Sequence, residues 1–197
     1  PILEPIAMWW ELGRPPHPLL TSAEGASTQL DTTEPELLFH HTFYYGETCG
    51  QLTPFPEAVE RGLALSSPLR VHFFDGLGHG LKTEGAEVDA FLAQIESGAP
   101  PAFRGALYEG ILRDLTERAQ GEPEEVLPQA EAITARVGLR NPYNGVRIGL
   151  QRALGHDLPR AIATAARYPE DYWPALYEEL GWRSAVPDPS QMDQGDP

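Results

Sequence analysis

The stretch ALYEG at residues 106–110 returns as ALYEE at residues 175–179, 69 residues further along the chain. Residues 72–113 align with residues 141–182 without a gap and give eight identical pairs, among them Gly76 with Gly145 and Pro100 with Pro169. Ordinary residue frequencies would give roughly two or three such pairs. An internal repeat of this kind predicts a repeat architecture, because each unit buries its apolar face only against its neighbours.

The 69-residue step contains two units. An aromatic residue followed two positions later by glycine occurs at residues 44, 74, 108 and 143, and a fifth aromatic stands at residue 177 with Glu179 in the glycine column. The steps between these aromatics are 30, 34, 35 and 34 residues. A unit of about 34 residues is typical of a helix-turn-helix hairpin. We therefore predict an all-α fold in which tandem helix-turn-helix repeats form a short α-solenoid or an irregular helical bundle over residues 39–183.

The second helix of each unit is predicted from amphipathic stripes, and residues 55–66 form the corresponding helix of the first unit. Residues 87–97 carry apolar side chains at i, i+3, i+4 and i+7, which is the spacing of one helical face. Pro100 and Pro169 follow two of these helices and are expected to end them. The stripes comprise Val88, Phe91, Leu92 and Ile95; then Val126, Ala130, Ile133 and Val137; then Ala161, Ile162 and Ala165.

Local signals also locate two helix starts. Asp157 is a predicted N-cap, and Pro159 then falls within the first turn. Pro128 is tolerable only if it too lies in a first turn, because a proline removes an internal hydrogen bond.

The aromatic and glycine columns are assigned to the first helix of each unit. Glycine inside a helix costs about 1 kcal/mol relative to alanine. Its recurrence in one column therefore predicts that a neighbouring helix backbone approaches closely at that point.

Composition limits the classes of function. The net charge of -15 among 197 residues argues against nucleic acid and anionic membranes as partners, since both require clusters of lysine and arginine. It permits a basic partner. No apolar run reaches the length of a membrane span, and the single cysteine, Cys49, excludes an internal disulfide. A cytoplasmic location is the default expectation.

The two ends fall outside the repeat. Residues 1–38 are predicted to form an arm and loop, with Trp9 and Trp10 capping the first hairpin, and residues 184–197 to form a disordered acidic tail. The chain opens at Pro1 without methionine, so we expect a fragment or a processed form.

A metal site is one functional hypothesis. His72, Asp75 and His79 stand at i, i+3 and i+7, on one face of a helix, and two histidines with a carboxylate can hold zinc or iron. Further ligands are available from His40, His41, Glu47 and Cys49. The alternative is that Asp75 occupies a polar repeat column and is either solvated or makes a hydrogen bond between helices. A thiolate pair of Cys49 with a histidine is also considered, although a lone cysteine is usually a small buried apolar residue.

The aromatic column offers a second hypothesis, a binding groove. Helical repeats use such surfaces for recognition, although aromatic residues at repeat spacing more often form core between units. A second column of the repeat, one position after the aromatic residue, is acidic at Asp75, Glu109 and Glu178. These three residues of the acidic column are candidates for binding a basic ligand. The predicted ligand-binding residues are Tyr44, Phe74, Tyr108, Glu109, Tyr143 and Tyr177.

Residues 145–182, with the segments FFDGLGHGL at 73–81 and ALYEGIL at 106–112, resemble modules of the uncharacterised family encoded beside enediyne polyketide synthases. The resemblance covers roughly residues 40–183 and implies a helical protein of bacterial specialised metabolism, without catalytic residues to transfer. The 34-residue period is also similar to that of tetratricopeptide arrays. Two hypotheses follow. One is an interaction or ligand-binding repeat protein that needs no cofactor, and the other is an enzyme with zinc or iron at His72, Asp75 and His79.

Overall fold

The computed structural model describes residues 37–81 and 88–184, and within these ranges the chain is helical and has no strand. The all-α prediction is therefore confirmed. The predicted arm and tail lie outside the described residues, apart from residues 37, 38 and 184. The helices are α1 Leu38–Leu52, α2 Phe55–Ala64, α3 Ser67–Gly80, α4 Val88–Gly98, α5 Pro101–Arg118, α6 Pro123–Val137, α7 Arg140–Leu154, α8 Leu158–Ala165 and α9 Trp173–Ser184, with a 3₁₀ turn at Glu170–Tyr172 before α9.

The odd-numbered helices pack side by side in chain order. Helix α1 lies along α3, α3 along α5, and α5 along α7, while α9 packs against α7 and α8. Helices α1, α3, α5 and α7 run parallel, because the contacts advance in the same direction along both members of each pair. Gly46 lies beside the backbone at Phe73 and Gly50, one turn later, beside that at Leu77. The same order holds for the pairs of Asp75 with Arg113 and His79 with Glu117, and for Gly145 beside Glu109 and Gly149 beside Arg113. Helices α2, α4, α6 and α8 connect the members of the row and pack against them. No helix in the described ranges is long and apolar enough to cross a membrane.

Three glycines of the repeat column mark where each helix meets the preceding one. A methyl group at Gly76, Gly110 or Gly145 would collide with backbone of the helix before it, because a carbonyl oxygen lies where the methyl would be. The predicted close approach is thus confirmed. The carbonyls belong to Phe43, Asp75 and Glu109, respectively.

The first copy of the column is oriented differently. Gly46 and Gly50 face the following helix, α3, and Gly78 of α3 likewise faces the following helix, α5. Gly46 is therefore not the structural counterpart of Gly76, although both follow an aromatic residue. Helix α3 meets a neighbouring backbone on both sides, since Gly76 and Gly80 face α1 while Gly78 faces α5.

The predicted apolar stripes are largely confirmed. Leu92 and Ile95 of α4 are buried, and so are Val126, Ala130 and Ile133 of α6. They join one continuous hydrophobic core that also includes side chains of the odd-numbered helices.

Two predictions about the connecting helices were wrong and one was correct. Ile162 is 45% exposed and Thr164 is buried in its place, because the buried side of α8 is defined by Ala161 and Ala165 and Ile162 points away from it. Pro128 lies in the second turn of α6 and not in the first, since that helix begins at Pro123. It is Pro123 that occupies the start of the helix, where proline is favoured. The N-cap at Asp157 is confirmed, because its side chain accepts a hydrogen bond of 3.2 Å from the backbone N–H of Arg160.

Helix α3 has two contrasting faces. Phe73 and Phe74 are fully buried and lie where a side chain at Gly62 of α2 would be. Asp75 and His79 point to the opposite side, because they are displaced by about half a turn from the two phenylalanines. The row of parallel helices therefore presents a charged face away from the apolar contact with α2.

Candidate functional site

Charged side chains from four parallel helices converge on this face. On α3 and on α5 they are spaced by four residues, so each set lies along one side of its helix. We call this group the charged cluster; it consists of Glu47 on α1, Asp75 and His79 on α3, Glu109, Arg113 and Glu117 on α5, and Arg152 on α7.

His79 stands at the centre of the charged cluster. Its Nδ1 atom is 3.4 Å from Glu47 Oε1, and its Nε2 atom is 3.4 Å from Glu117 Oε2. Burial alone lowers the pKa of His79, but the hydrogen bonds and charges of Glu117 and Glu47 outweigh it and raise the pKa to about 9. The imidazole is therefore protonated at neutral pH. From α3, it forms ion pairs with a carboxylate of α1 and with a carboxylate of α5.

Arg113 connects two further carboxylates. Its Nη2 atom is 2.8 Å from Asp75 Oδ2 and 3.7 Å from Glu109 Oε1, and the residue is only 5% exposed. Burial raises the pKa of both Asp75 and Glu109, and for Glu109 the negative charge of Asp75 adds to this effect. Desolvation of these carboxyl groups is thus only partly offset by the guanidinium.

Arg152 extends the charged cluster from α7 back to α1. Its Nη1 atom is 2.9 Å from Glu117 Oε1, and its guanidinium carbon lies 5.5 Å from the ring centre of Phe43. Arg113 lies over the same ring at 5.1 Å. Burial lowers the pKa of Arg152, as does the charge of Arg113. Two guanidinium groups therefore share one aromatic ring.

The three residues of the predicted metal site have separate contacts. The ring of His72 lies 4.7 Å from that of Phe39, Asp75 is paired with Arg113, and both ring nitrogens of His79 face carboxylates. The described residues contain no group of three or more histidines, cysteines and carboxylates placed to hold a metal. The zinc or iron site stays a prediction, which elemental analysis of the native protein and of H72A and H79A tests. The alternative for Asp75, a hydrogen bond between helices, is confirmed.

The aromatic column does not form one surface. Phe74 and Tyr108 are fully buried, whereas Tyr177 is exposed, so the expected core role is confirmed for the first two. Tyr143 and Tyr44 are half-buried. The ring of Tyr143 packs 4.5 Å from that of Tyr172, and Tyr44 borders the charged cluster, where it interacts with the charges of Arg152, Glu47 and Glu117.

The acidic column and the cysteine also have distinct locations. Asp75 and Glu109 belong to the charged cluster, whereas Glu178 is exposed on α9. Cys49 is fully buried in the core, as expected of a small apolar residue, and His40 is exposed.

Three members of the charged cluster were missed by the sequence analysis, namely Arg113, Glu117 and Arg152. A usable signal was present on α5, where residues 109, 113 and 117 carry alternating charges at intervals of four along one helical face. No comparable signal marks Arg152, since its contacts with α1 depend on how the parallel helices are arranged in space.

The charges of the cluster do not balance. Four carboxylates, those of Glu47, Asp75, Glu109 and Glu117, face three cations, the guanidinium groups of Arg113 and Arg152 and the imidazolium of His79. Arg147 of α7 also acts on Glu109, but it is paired with Glu179, so the excess of one carboxylate is unchanged when both are counted. Such a site can attract one additional positive charge. Comparison with protein-family models, with curated proteins and with solved structures finds no match for this chain.

Proposed function

We propose that this protein is a helical-repeat binding protein that recognises a cationic group, on a small molecule or a protein partner, through the charged cluster. The observation that carries the proposal is the excess of carboxylates over cations in a largely buried position. An uncompensated negative charge in a poorly hydrated site is costly. A bound ammonium or guanidinium group would offset that cost.

Stability alone is a weak reason for the cluster. A buried ion pair seldom stabilises a fold more than well-packed apolar side chains of the same volume. Perturbed ionisable groups that gather in one place are instead typical of functional sites. Asp75, Glu109 and His79 all have shifted pKa values, which supports a binding role for this face.

The repeat architecture belongs to the same proposal. The glycines that contact the preceding helix stand at residues 76, 110 and 145, so their steps of 34 and 35 residues follow the period of the sequence. This supports a short α-solenoid with about 34 residues per unit, in which the row of parallel helices supplies the binding face. The resemblance to the family encoded beside enediyne polyketide synthases would make it an accessory protein of bacterial specialised metabolism.

A ligand panel tests the binding role. Melting temperatures are measured with agmatine, spermidine and choline, each against potassium chloride at equal ionic strength. A ligand at a hundred times its dissociation constant stabilises by about 2.7 kcal/mol, so a saturable rise of several degrees is expected for at least one cation. The rise should disappear in E47Q and persist in E57Q, because Glu57 lies in an exposed pair with Arg61 on α2. Equal melting temperatures in all cations and in potassium chloride would refute the proposal.

A further inference from the structure

The ion pairs divide the charged cluster into two parts that differ in charge. In the first part, His79 lies between Glu47 and Glu117, and Arg152 is also paired with Glu117. An imidazolium and a guanidinium therefore face two carboxylates. The charges of this part balance, so it does not account for the excess of carboxylates in the cluster.

The second part of the charged cluster, between α3 and α5, carries the excess. Asp75 of α3 and Glu109 of α5 share one guanidinium nitrogen, Arg113 Nη2, at distances of 2.8 Å and 3.7 Å. The amide of Asn144 lies 3.4 Å from Glu109 Oε2, but it is a neutral donor. Two neighbouring carboxylates with one guanidinium leave one negative charge uncompensated, and each carboxylate disfavours the ionised form of the other.

The pair of Asp75 with Arg113 also leaves buried polar atoms without a hydrogen bond. A guanidinium that meets a carboxylate in parallel forms two hydrogen bonds, but here Nη2 alone donates, to Oδ2. Asp75 Oδ1 and Arg113 Nε are buried and have no hydrogen-bond partner among the described residues. His79 Nδ1 is a third such atom, but it faces Glu47 at 3.4 Å. Orphaned buried donors and acceptors are rare and costly, so an acceptor and a donor without partners lie beside the uncompensated charge.

The carboxylate side chains of this part reach the protein surface. Those of Asp75 and Glu109 are 16% and 20% exposed, whereas the side chain of Arg113 is 6% exposed. A ligand can therefore approach the two carboxylates from solvent. Since Asp75 Oδ1 and Arg113 Nε are themselves buried, the group that reaches them must be small.

The chemistry of the unpaired atoms specifies that group. An ammonium supplies the missing positive charge and donates hydrogen bonds to carboxylate oxygens such as Asp75 Oδ1. Arg113 Nε is a donor, so it requires an acceptor atom on the same ligand. A hydroxyl oxygen meets this need without a negative charge, whereas a carboxylate would cancel the charge that the ammonium brings.

We propose that Asp75, Glu109 and Arg113 form a subsite for an amino alcohol, in which a primary ammonium and a hydroxyl group stand on neighbouring carbon atoms. The ammonium lies between the two carboxylates, and the hydroxyl oxygen accepts a hydrogen bond from Arg113 Nε. This inference rests on the proposed binding function and names the position and the chemical class of the recognised group. Every cation of the charged cluster keeps its place, so the bound ammonium compensates the excess carboxylate.

Ethanolammonium and propylammonium chlorides test the subsite, because the two cations differ only in a terminal hydroxyl against a methyl group. Dissociation constants are obtained from the rise of the melting temperature with concentration, with potassium chloride at equal ionic strength as the reference. Ethanolammonium should bind at least about tenfold more tightly, because it gains a hydrogen bond from a charged, buried donor. Equal dissociation constants would overturn the inference, since the hydroxyl would then have no partner.

Two charge-conserving variants assign the preference to Arg113. R113K keeps a positive charge near Asp75 but lacks Nε, so the two ammonium ions should bind it with similar dissociation constants. R118K is the matched control on the same helix, because Arg118 pairs with Asp114 outside the charged cluster, and it should keep the wild-type preference. A preference for ethanolammonium that persists in R113K would equally overturn the inference. If R113K does not fold, the wild-type comparison of the two ions decides alone.

The outcomes separate the subsite from the broader proposal. If propylammonium binds as tightly as ethanolammonium, the charged cluster binds cations without selecting an amino alcohol, and only the subsite is wrong. The subsite is also wrong if neither ion binds while agmatine, spermidine or choline does. If none of these cations binds, the proposed function fails and the subsite fails with it.

Discussion

The segments ALYEG on α5 and ALYEE on α9 share four residues and have different environments. Tyr108 of the first is fully buried, whereas Tyr177 of the second is 37% exposed. Gly110 is in contact with the backbone of α3, whereas Glu179, in the same column, is paired with Arg147 of α7. One short sequence thus forms core in one copy and surface in the other.

The difference in burial follows from the arrangement of the helices that pack against α5 and α9. Helix α5 lies between α3 and α7 in the row of parallel helices, whereas α9 packs on α7 and α8. Helix α5 therefore needs a glycine where a backbone approaches, and its tyrosine is enclosed. Helix α9 accommodates a long charged side chain in that column, and at Gly181 no atom of the described residues lies within 4 Å of the position that a methyl group would take.

Truncation of Tyr108 and Tyr177 to alanine is expected to give the largest difference in stability between the two segments. Y108A should cost about 4 kcal/mol, because it removes a large side chain that is fully buried in the core. Y177A should cost less than about 1 kcal/mol, because its ring is partly in solvent. Urea denaturation of both variants measures the difference. Equal losses would show that the two copies have the same environment after all.

Alanine in the glycine column should have the next largest effect. G110A places a methyl group against the carbonyl of Asp75, and separating two packed helices should cost about 3 kcal/mol. The free energy of unfolding from urea denaturation gives the loss. A neutral or stabilising result would mean that α3 and α5 are further apart than the structure shows.

The charged contacts of α5 predict a dependence of stability on pH. The pKa of His79 is about 9 in the folded chain and about 6.5 in an unfolded one. Its contribution is therefore complete below pH 6.5 and is lost as the pH rises through 9, amounting to about 2 to 3 kcal/mol at most. Denaturation at several pH values measures the slope. H79Q serves as the control, and a slope that persists in it would contradict the assignment to His79.

The smallest expected effect is a gain in stability on α9. G181A should stabilise the protein by up to about 1 kcal/mol, because alanine favours helix and none of the described residues obstructs the methyl group. Thermal denaturation of G181A and G110A measures both effects. The melting temperature should rise in G181A and fall in G110A. Destabilisation by G181A would indicate that a further contact covers this side of α9.

Much of the fold was predictable from sequence because the signals were local. The apolar spacing of residues 87–97 and the capping side chain of Asp157 act within one helix, and the structure confirms both. The close approach at Gly76 was also predictable, since an internal glycine has a cost that only packing offsets. The exposure of Ile162 was not predictable, because an eight-residue helix has several apolar positions and its neighbours determine which are buried.

The candidate site was predictable only in part. Asp75 and His79 stood out by type and spacing, but their partners lie about 30 to 40 residues away on other helices, as in the pair of Asp75 with Arg113. The spacing that suggested metal ligands also fits residues that form ion pairs with neighbouring helices. Periodicity shows which residues share a face, and it does not show which charges oppose them.

The amino-acid order was sufficient for the helical class, for the duplicated segment and for the glycines that require a close neighbour, because these depend on contacts within a helix or on the intrinsic cost of a residue type. The charged cluster depended on the arrangement of α1, α3, α5 and α7 in space. Its partners come from different helices, so their meeting follows from the packing distance that glycines such as Gly76 and Gly110 permit. The same arrangement brings Arg152 of α7 over Phe43 of α1, a contact between residues more than a hundred positions apart.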